Sequence, residues 1–358
     1  MNVGHATDAA LQSVPDRIAL VVDGSRYTYR RLEALIGQVS AALVEAGVGP
    51  GDRVALVNLG SALSVATILG AARLGAASAQ MNAYLTSGEL GQLVGLVGAR
   101  VGVAGAQFAD KLRSVVDGPV LGEEDVGAAD LGGAAGAPTI GGGDDTALVL
   151  FTSGTTGLPK PVPISHRVVA DRLAFYSTPV DPDAPQIVDM MSAPIFHIGG
   201  TLGLFVSLHQ GKQMVLLPKF DARTWLALVE RHRVAQTFVV PTMLRRILDH
   251  PNFSATDLSS LRALSYGAAA APVDLIRRAV AALPHVDFSN TFGQTETLGA
   301  FAALTPADHR RGDRLDSVGR PLPGVQVKII DPESGKAVVS GSVGELLVRA
   351  DQNTTTEW

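Results

Sequence analysis

The chain has 358 residues, 46% of them hydrophobic and 18% charged, enough apolar surface for two or three packed subdomains and not the composition of a disordered chain. A formal net charge of −5 argues against broad electrostatic attraction to nucleic acid or to an anionic membrane. The absence of cysteine excludes disulfides, thiolate catalysis and cysteine-based zinc sites.

The opening run, MNVGHATDAALQSVPDR, has no charged region followed by an apolar core, so no signal peptide is expected. Residues 18–22 form a short apolar run that stops at Asp23-Gly24, a turn signal, with 26–29 as its hairpin partner. Residues 29–45 repeat apolar side chains at helical spacing, and 47–52 end that helix. A strand is predicted over 53–58, a helix over 63–74 and a strand over 76–81. The most apolar long stretch, 61–79, contains Arg73 and reads as a buried helix and loop, not a membrane span. A soluble cytoplasmic protein without a transmembrane segment is expected. This alternation is a βαβ rhythm and implies a mainly parallel sheet.

Residues 122–145, rich in Gly, Ala and Asp, read as a surface linker. Residues 147–151 form a buried strand that enters the run FTSGTTGLPK, Phe151 to Lys160, and a helix is predicted over 166–176. Strands follow at 188–192, 213–217, 237–240 and 263–266. Beyond Val318 the pattern changes to short alternating strands, 325–330 and 344–348, as in a small antiparallel or barrel-like unit.

The run at 151–160 suits polyphosphate. Gly154 and Gly157 permit positive φ and close backbone approach, so successive N–H groups can cup an anion. Thr152, Ser153, Thr155 and Thr156 add hydroxyl donors, Lys160 adds charge, and any helix beginning just after it would add partial positive charge. It is not a Walker A loop, since Pro159 and Pro161 flank Lys160. The plain alternative is a mobile Ser/Thr/Gly surface loop. Asp189, His197 and His209 have no recognised metal-ligand spacing, and no G-x-G-x-x-G follows an early strand, which disfavours a dinucleotide oxidoreductase.

That run closely resembles the signature of adenylate-forming enzymes, the superfamily of acyl-CoA synthetases, luciferases and peptide-synthetase adenylation domains. Other segments carry the resemblance in order: DGSRYTYRRL from Asp23, FHIGG from Phe196, YGAAAAP from Tyr266, NTFGQTE from Asn290, SVGRPLPG from Ser317 and GEL from Gly344. The resemblance implies a large N-terminal domain with two α/β subdomains, 1–145 and 146–316, mainly parallel sheets, and the start of a β-barrel-like subdomain at 317–358.

It also implies an AMP-forming carboxylic-acid:CoA ligase of the fatty-acyl type, using ATP, Mg²⁺ and coenzyme A. An aryl-acid ligase is the runner-up, and a non-catalytic nucleotide- or acyl-binding module is the alternative from another class. The phosphates would meet Thr152, Ser153, Gly154, Thr155, Thr156, Gly157 and Lys160. Gly267, Ala268 and Ala269 would line one adenine face, with Asn290, Thr291, Phe292 and Gly293 opposite. Phe292 stands where the family usually has Tyr. Gln294, Thr295 and Glu296 complete the nucleotide site, with Glu296 and Thr152 as Mg²⁺ ligands. The acyl tunnel would pass His197, Ile198, Gly199, Val240, Thr242 and Tyr266, and Gly199 and Gly200 would leave room for an elongated tail. Thr152, Lys160, His197 and Glu296 are the catalytic candidates. Each also has an ordinary structural reading: a surface Glu after a turn, a helix cap, a core aromatic, a tight turn, a core histidine.

Two departures matter. Pro161 replaces the Gly usual after the loop Lys, removing an N–H there. The chain stops at Trp358, with no Thr-Gly-Asp segment and no lysine after Lys336. The family's ribose-binding Asp and C-terminal lid domain are therefore not in this sequence, and weak nucleotide binding with poor turnover is expected of it.

Overall fold

The computed structural model describes residues 1–128, 139–152, 159–351 and 353–354. Its strands are β1 (Ile18–Val22), β2 (Ser25–Thr28), β3 (Arg53–Val57), β4 (Ala77–Gln80), β5 (Val101–Ala104), β6 (Val120–Leu121), β7 (Thr146–Thr152), β8 (Lys160–Ser165), β9 (Val188–Met191), β10 (Gln213–Leu216), β11 (Gln236–Val239), β12 (Ala263–Gly267), β13 (Asp287–Gln294), β14 (Gly299–Leu304), β15 (Arg320–Pro321), β16 (Gln326–Ile330) and β17 (Glu345–Arg349).

They form two large sheets. The six-stranded sheet runs β6-β5-β3-β4-β7-β8 and is parallel except at β8. The nine-stranded sheet runs β15-β14-β13-β12-β11-β9-β10-β1-β2, with a parallel centre and antiparallel edges. Most parallel strands read as continuous apolar runs because both faces are covered by helices. Helix Ala62–Arg73 is buried from Ala62 to Ala72, since it shares one core with strands of both sheets. Ser61 caps its N-terminus by accepting from the Ser64 N–H. Helix Tyr29–Glu45 lies against it, and Gly70 makes the close approach possible: a Cβ there would sit 3.0 Å from Ser40 Oγ and 3.3 Å from the Ile36 carbonyl oxygen.

The mixed α/β architecture with large, mainly parallel sheets is as the sequence implies. Four details differ. Sheet membership crosses the expected division at 145/146: β1 and β2 join the nine-stranded sheet, while β7 and β8 complete the six-stranded one. Within the expected linker, Glu123–Ala128 is helical, with three acidic residues in its first turn favoured by the helix dipole. After Lys160 the chain continues as strand β8, which was not expected from the sequence, and the helix begins at His166 as expected. Pro161 and Pro163 forbid a helix there, and an edge strand tolerates their missing N–H groups. No helix N-terminus therefore follows directly on Lys160. Among the described residues after 321, the expected barrel-like unit is a two-stranded antiparallel hairpin, β16–β17, with one further bridge, Ile330 to Ala337.

Candidate active site

Ligand sites in open parallel sheets lie beyond the carboxyl ends of the strands, and the candidate residues converge there. Thr152 is the last residue of β7 and pairs directly with Lys160, the first of β8. The neck of the Ser/Thr/Gly loop is therefore a defined β-pair. Ser153, Gly154, Thr155, Thr156 and Gly157 lie outside the described residues. Across from the neck, Glu296 sits in a short 3₁₀ turn, Thr295–Thr297, and the Thr152 hydroxyl donates to its Oε1 at 3.5 Å. Thr354 donates its N–H to the Glu296 carbonyl at 2.8 Å, tying the end of the described chain to this turn. Residues 355–358 lie outside the described residues.

A cavity of about 240 Å³ opens at the ends of β12 and β13, between Gly267–Ala271 and Asn290–Gly293. Gly267 is required by sheet packing, since a Cβ there would lie 2.2 Å from the Thr291 carbonyl oxygen. Ala268 holds φ at 64°, which is uncommon for a residue with a side chain and is the kind of strain found at binding sites. Phe292 is 36% exposed, lines the cavity and packs edge-on against Phe301 at 5.0 Å. The cavity's far wall, Leu315–Val318, was given no role by the sequence, although SVG at 317–319 belongs to one of its resembling segments.

A second cavity, about 360 Å³, adjoins the first, and Thr291 lines both. Its floor is the nine-stranded sheet. Its wall is helix Ile198–His209, which presents Gly199, Leu202, Gly203 and Val206 at helical spacing. At its inner end stand Asp189, Lys212 and Gln236, none singled out as binding residues because no local pattern marks them. Only sheet register brings them together: Asp189 pairs directly with Gln236, and Lys212 immediately precedes β10. Lys212 Nζ donates to Gln236 Oε1 at 2.8 Å and lies 3.4 Å from Asp189 Oδ2. Burial raises the Asp189 carboxyl above its ordinary value, with the Lys212 ammonium opposing. The Arg172 guanidinium, also on this cavity, donates to the Ala300 carbonyl at 2.7 Å and lies over the rings of Phe175 and Tyr176.

Several acyl-site expectations need correction. Tyr266 is fully buried and its hydroxyl bonds His309 Nε2 at 2.9 Å in a separate core. Neighbouring residues of a strand face opposite ways, so Ser265 meets the cavity and Tyr266 cannot. Gly200 provides no tail room. A Cβ there would stand 2.3 Å from the Pro194 carbonyl oxygen, so this glycine serves the tight entry to the helix. Thr242 is exposed on the first turn of helix Pro241–Leu248, and Val240 is that helix's N-cap residue. Neither is among the residues that form the cavity walls. Gly199 does line the cavity, and a Cβ there would stand 3.5 Å from the Phe238 ring, while Ile198 packs against the shared core.

His197 occupies the N-cap position of helix Ile198–His209 and shares a smaller cavity of about 180 Å³ with Thr152, Pro159 and Gln80. Its ring remains partly open to solvent, yet the surrounding walls desolvate it enough to lower its pKa. The structure thus brings Thr152, Lys160, His197, Glu296 and the cavity between Gly267–Ala271 and Asn290–Gly293 to one end of the sheets. Among the described residues no group of three or more His, Asp or Glu side chains is placed to hold a metal ion. Thr152 and Glu296 do present two hard oxygen donors together, which suits Mg²⁺ completed by phosphate and water oxygens.

Parallel α/β sheets with paired cavities at their strand ends define a nucleotide-site architecture, and the comparisons narrow it. The chain belongs to the AMP-binding enzyme family, whose model matches residues 7–356. It is 30% identical over 365 residues to the fatty acid–[acyl-carrier-protein] ligase ScoC of Streptomyces coeruleorubidus, covering 99% of this chain and 70% of that protein. It is also 30% identical over 352 residues to 4-coumarate–CoA ligase 3 of Oryza sativa subsp. japonica, covering 92% of this chain and 62% of that protein. The fold matches the inhibitor-bound N-terminal domain of FACL13 from Mycobacterium tuberculosis with a TM-score of 0.87 at 25% identity, over 99% of this chain and 90% of that one. The anthranilate CoA ligase AuaEII, solved with anthranoyl-AMP, matches with a TM-score of 0.87 at 25% identity, over 98% and 69%.

Proposed function

We propose that this chain binds ATP and a carboxylic acid and supports formation of an acyl-adenylate, which is then passed to the thiol of coenzyme A. The observation that carries this reading is a pair of cavities that share Thr291 as a wall, one flanked by Gly267–Ala269 and Phe292, the other apolar along its helix. A mixed anhydride of an acid and AMP has that bipartite shape. Relatives named for fatty-acid, coumarate and ferulate ligation fit both a fatty-acid and an aryl-acid variant of the reaction.

In this reading the adenine lies against Gly267–Ala269, where larger side chains would fill the slot, with the Phe292 ring against its other face. The Thr152–Lys160 neck and the loop it closes hold the phosphates. A carboxylate oxygen of the acid attacks the α-phosphorus, the bond to the bridging oxygen breaks, and pyrophosphate leaves with the electron pair. The thiol sulfur then attacks the acyl carbonyl, AMP departs, and the thiol proton goes to solvent. Catalysis is mostly positioning and charge neutralisation. The charge screening of the triphosphate is what Mg²⁺ supplies when held by Glu296 and Thr152. His197, its pKa lowered by burial, lines the small cavity beside Thr152, where it would face the reacting carboxylate.

Calorimetry on the 358-residue chain tests this. AMP and a non-hydrolysable acyl-AMP mimic should both bind, the mimic at least tenfold tighter because it fills both cavities. Phe292→Ala should weaken both. Absence of binding by either at millimolar concentration would refute the proposal.

A further inference from the structure

The wall of the acyl-side cavity is apolar, but its inner end is not. An aliphatic tail pressed against Lys212 and Asp189 would strip them of their last solvent and return no hydrogen bond. Their side chains are already reduced to 13% and 15% exposure, and both line the cavity. Lys212 has three N–H donors, of which Gln236 and Asp189 occupy two. Asp189 is also approached by the Ser207 hydroxyl, and a carboxylate, with about four lone-pair positions, retains acceptor capacity beyond these two donors.

Resting on the adenylate reading above, we propose that this inner end selects acids carrying an uncharged hydroxyl at the end remote from the reacting carboxylate. A hydroxyl satisfies both groups at once, accepting from the Lys212 ammonium and donating to the Asp189 carboxylate. A second carboxylate would face Asp189, and an ammonium would face Lys212. A methyl group would leave both groups buried without a new partner, and a site built to hydrogen-bond a hydroxyl discriminates strongly against the analogue lacking it.

Strand register also sets the length. Asp189 is level with Gln236, Ala263 and Asp287, while Thr291, where the two cavities meet, pairs with Gly267. Along the strands the inner polar row lies four residues, about 13 Å, from the junction, and β9 stands three strands across from β13, about 14 Å more. The diagonal is about 19 Å, roughly fifteen bonds at about 1.2 Å each, and the Lys212 side chain reaching into the cavity shortens it.

The test compares non-hydrolysable acyl-AMP mimics of equal tail length ending in an alkyl hydroxyl, a phenolic hydroxyl, a methyl group or a carboxylate, titrated into the intact chain. At least one hydroxyl mimic should bind about tenfold or more tighter than the methyl mimic, and which of the two does so separates chain from ring. Asp189→Leu with Lys212→Met, shown folded by an unchanged circular dichroism spectrum, should reduce that preference to less than threefold while leaving AMP affinity unaltered. Equal binding of hydroxyl and methyl mimics, or preference for the carboxylate, would overturn the proposal and leave the adenylate reading standing. Failure of every mimic and of AMP to bind would remove both. The mimic comparison needs no variant, so it decides the matter even if the double substitution unfolds.

Discussion

Acidification should weaken the fold through one histidine. His166 opens helix His166–Phe175 and has no exposed surface. Its Nδ1 accepts the Val3 N–H at 3.0 Å, so the ring proton sits on Nε2, which is buried without a hydrogen-bond partner among the described residues. Protonating Nδ1 would break the Val3 bond and bury a cation at the positive end of a helix. Burial accordingly lowers the pKa from 6.5 to about 4, against the pull of Asp145. The sign follows from where the proton binds first. The unfolded chain takes it up near pH 6.5 and the folded chain only near pH 4, so stability is full above 6.5, falls between the two values and levels off below 4. At about 1.4 kcal/mol per pH unit, the loss by pH 4.5 is about 2.5 kcal/mol. Urea unfolding of the parent and of His166→Gln at pH 7.5 and 4.5 isolates this term from other groups common to both. The variant should be weaker at pH 7.5 yet lose about 2.5 kcal/mol less on acidification. Parallel losses in the two proteins would show that His166 does not titrate as its surroundings require.

Tyr266→Phe should cost about 1–3 kcal/mol in thermal or urea unfolding, because it leaves buried His309 Nε2 without its donor. Acyl-AMP mimic affinity should stay within about twofold; a loss beyond tenfold would place Tyr266 on the acyl path after all. Gly200→Ala should destabilise by about 1–3 kcal/mol, since the new Cβ meets the fixed Pro194 carbonyl; an unchanged melting temperature would refute that packing. Glu296→Gln should weaken ATP binding in the presence of Mg²⁺ by about tenfold and leave metal-free AMP binding near its parent value. Equal effects with and without Mg²⁺, read by calorimetry, would refute the metal-holding role.

Much of the molecule was legible before folding was considered. Strands β1, β3, β9 and β10 are uninterrupted or nearly uninterrupted apolar runs, and helix Tyr29–Glu45 repeats its apolar residues at 3.6 spacing. Resemblance to family segments marked Gly267–Ala269 and Asn290–Gly293, while the Thr152–Lys160 run was marked by its own hydroxyls and glycines as well. Such features depend on neighbours in sequence, so sequence alone determined them. Strand register and face did not follow from it. Tyr266 and Ser265 are adjacent, yet pleating sends one to the core and the other to the cavity. Gly200 looked like space for a tail until its helix entry placed the Pro194 carbonyl against it. Lys212, Asp189 and Gln236 are separated by 23 and 24 residues along the chain and carry no motif, and only parallel pairing of β10, β9 and β11 makes them one polar end wall. The residues proposed to meet the nucleotide were marked by neighbours in sequence, whereas the polar end of the larger cavity exists only once distant strands lie side by side.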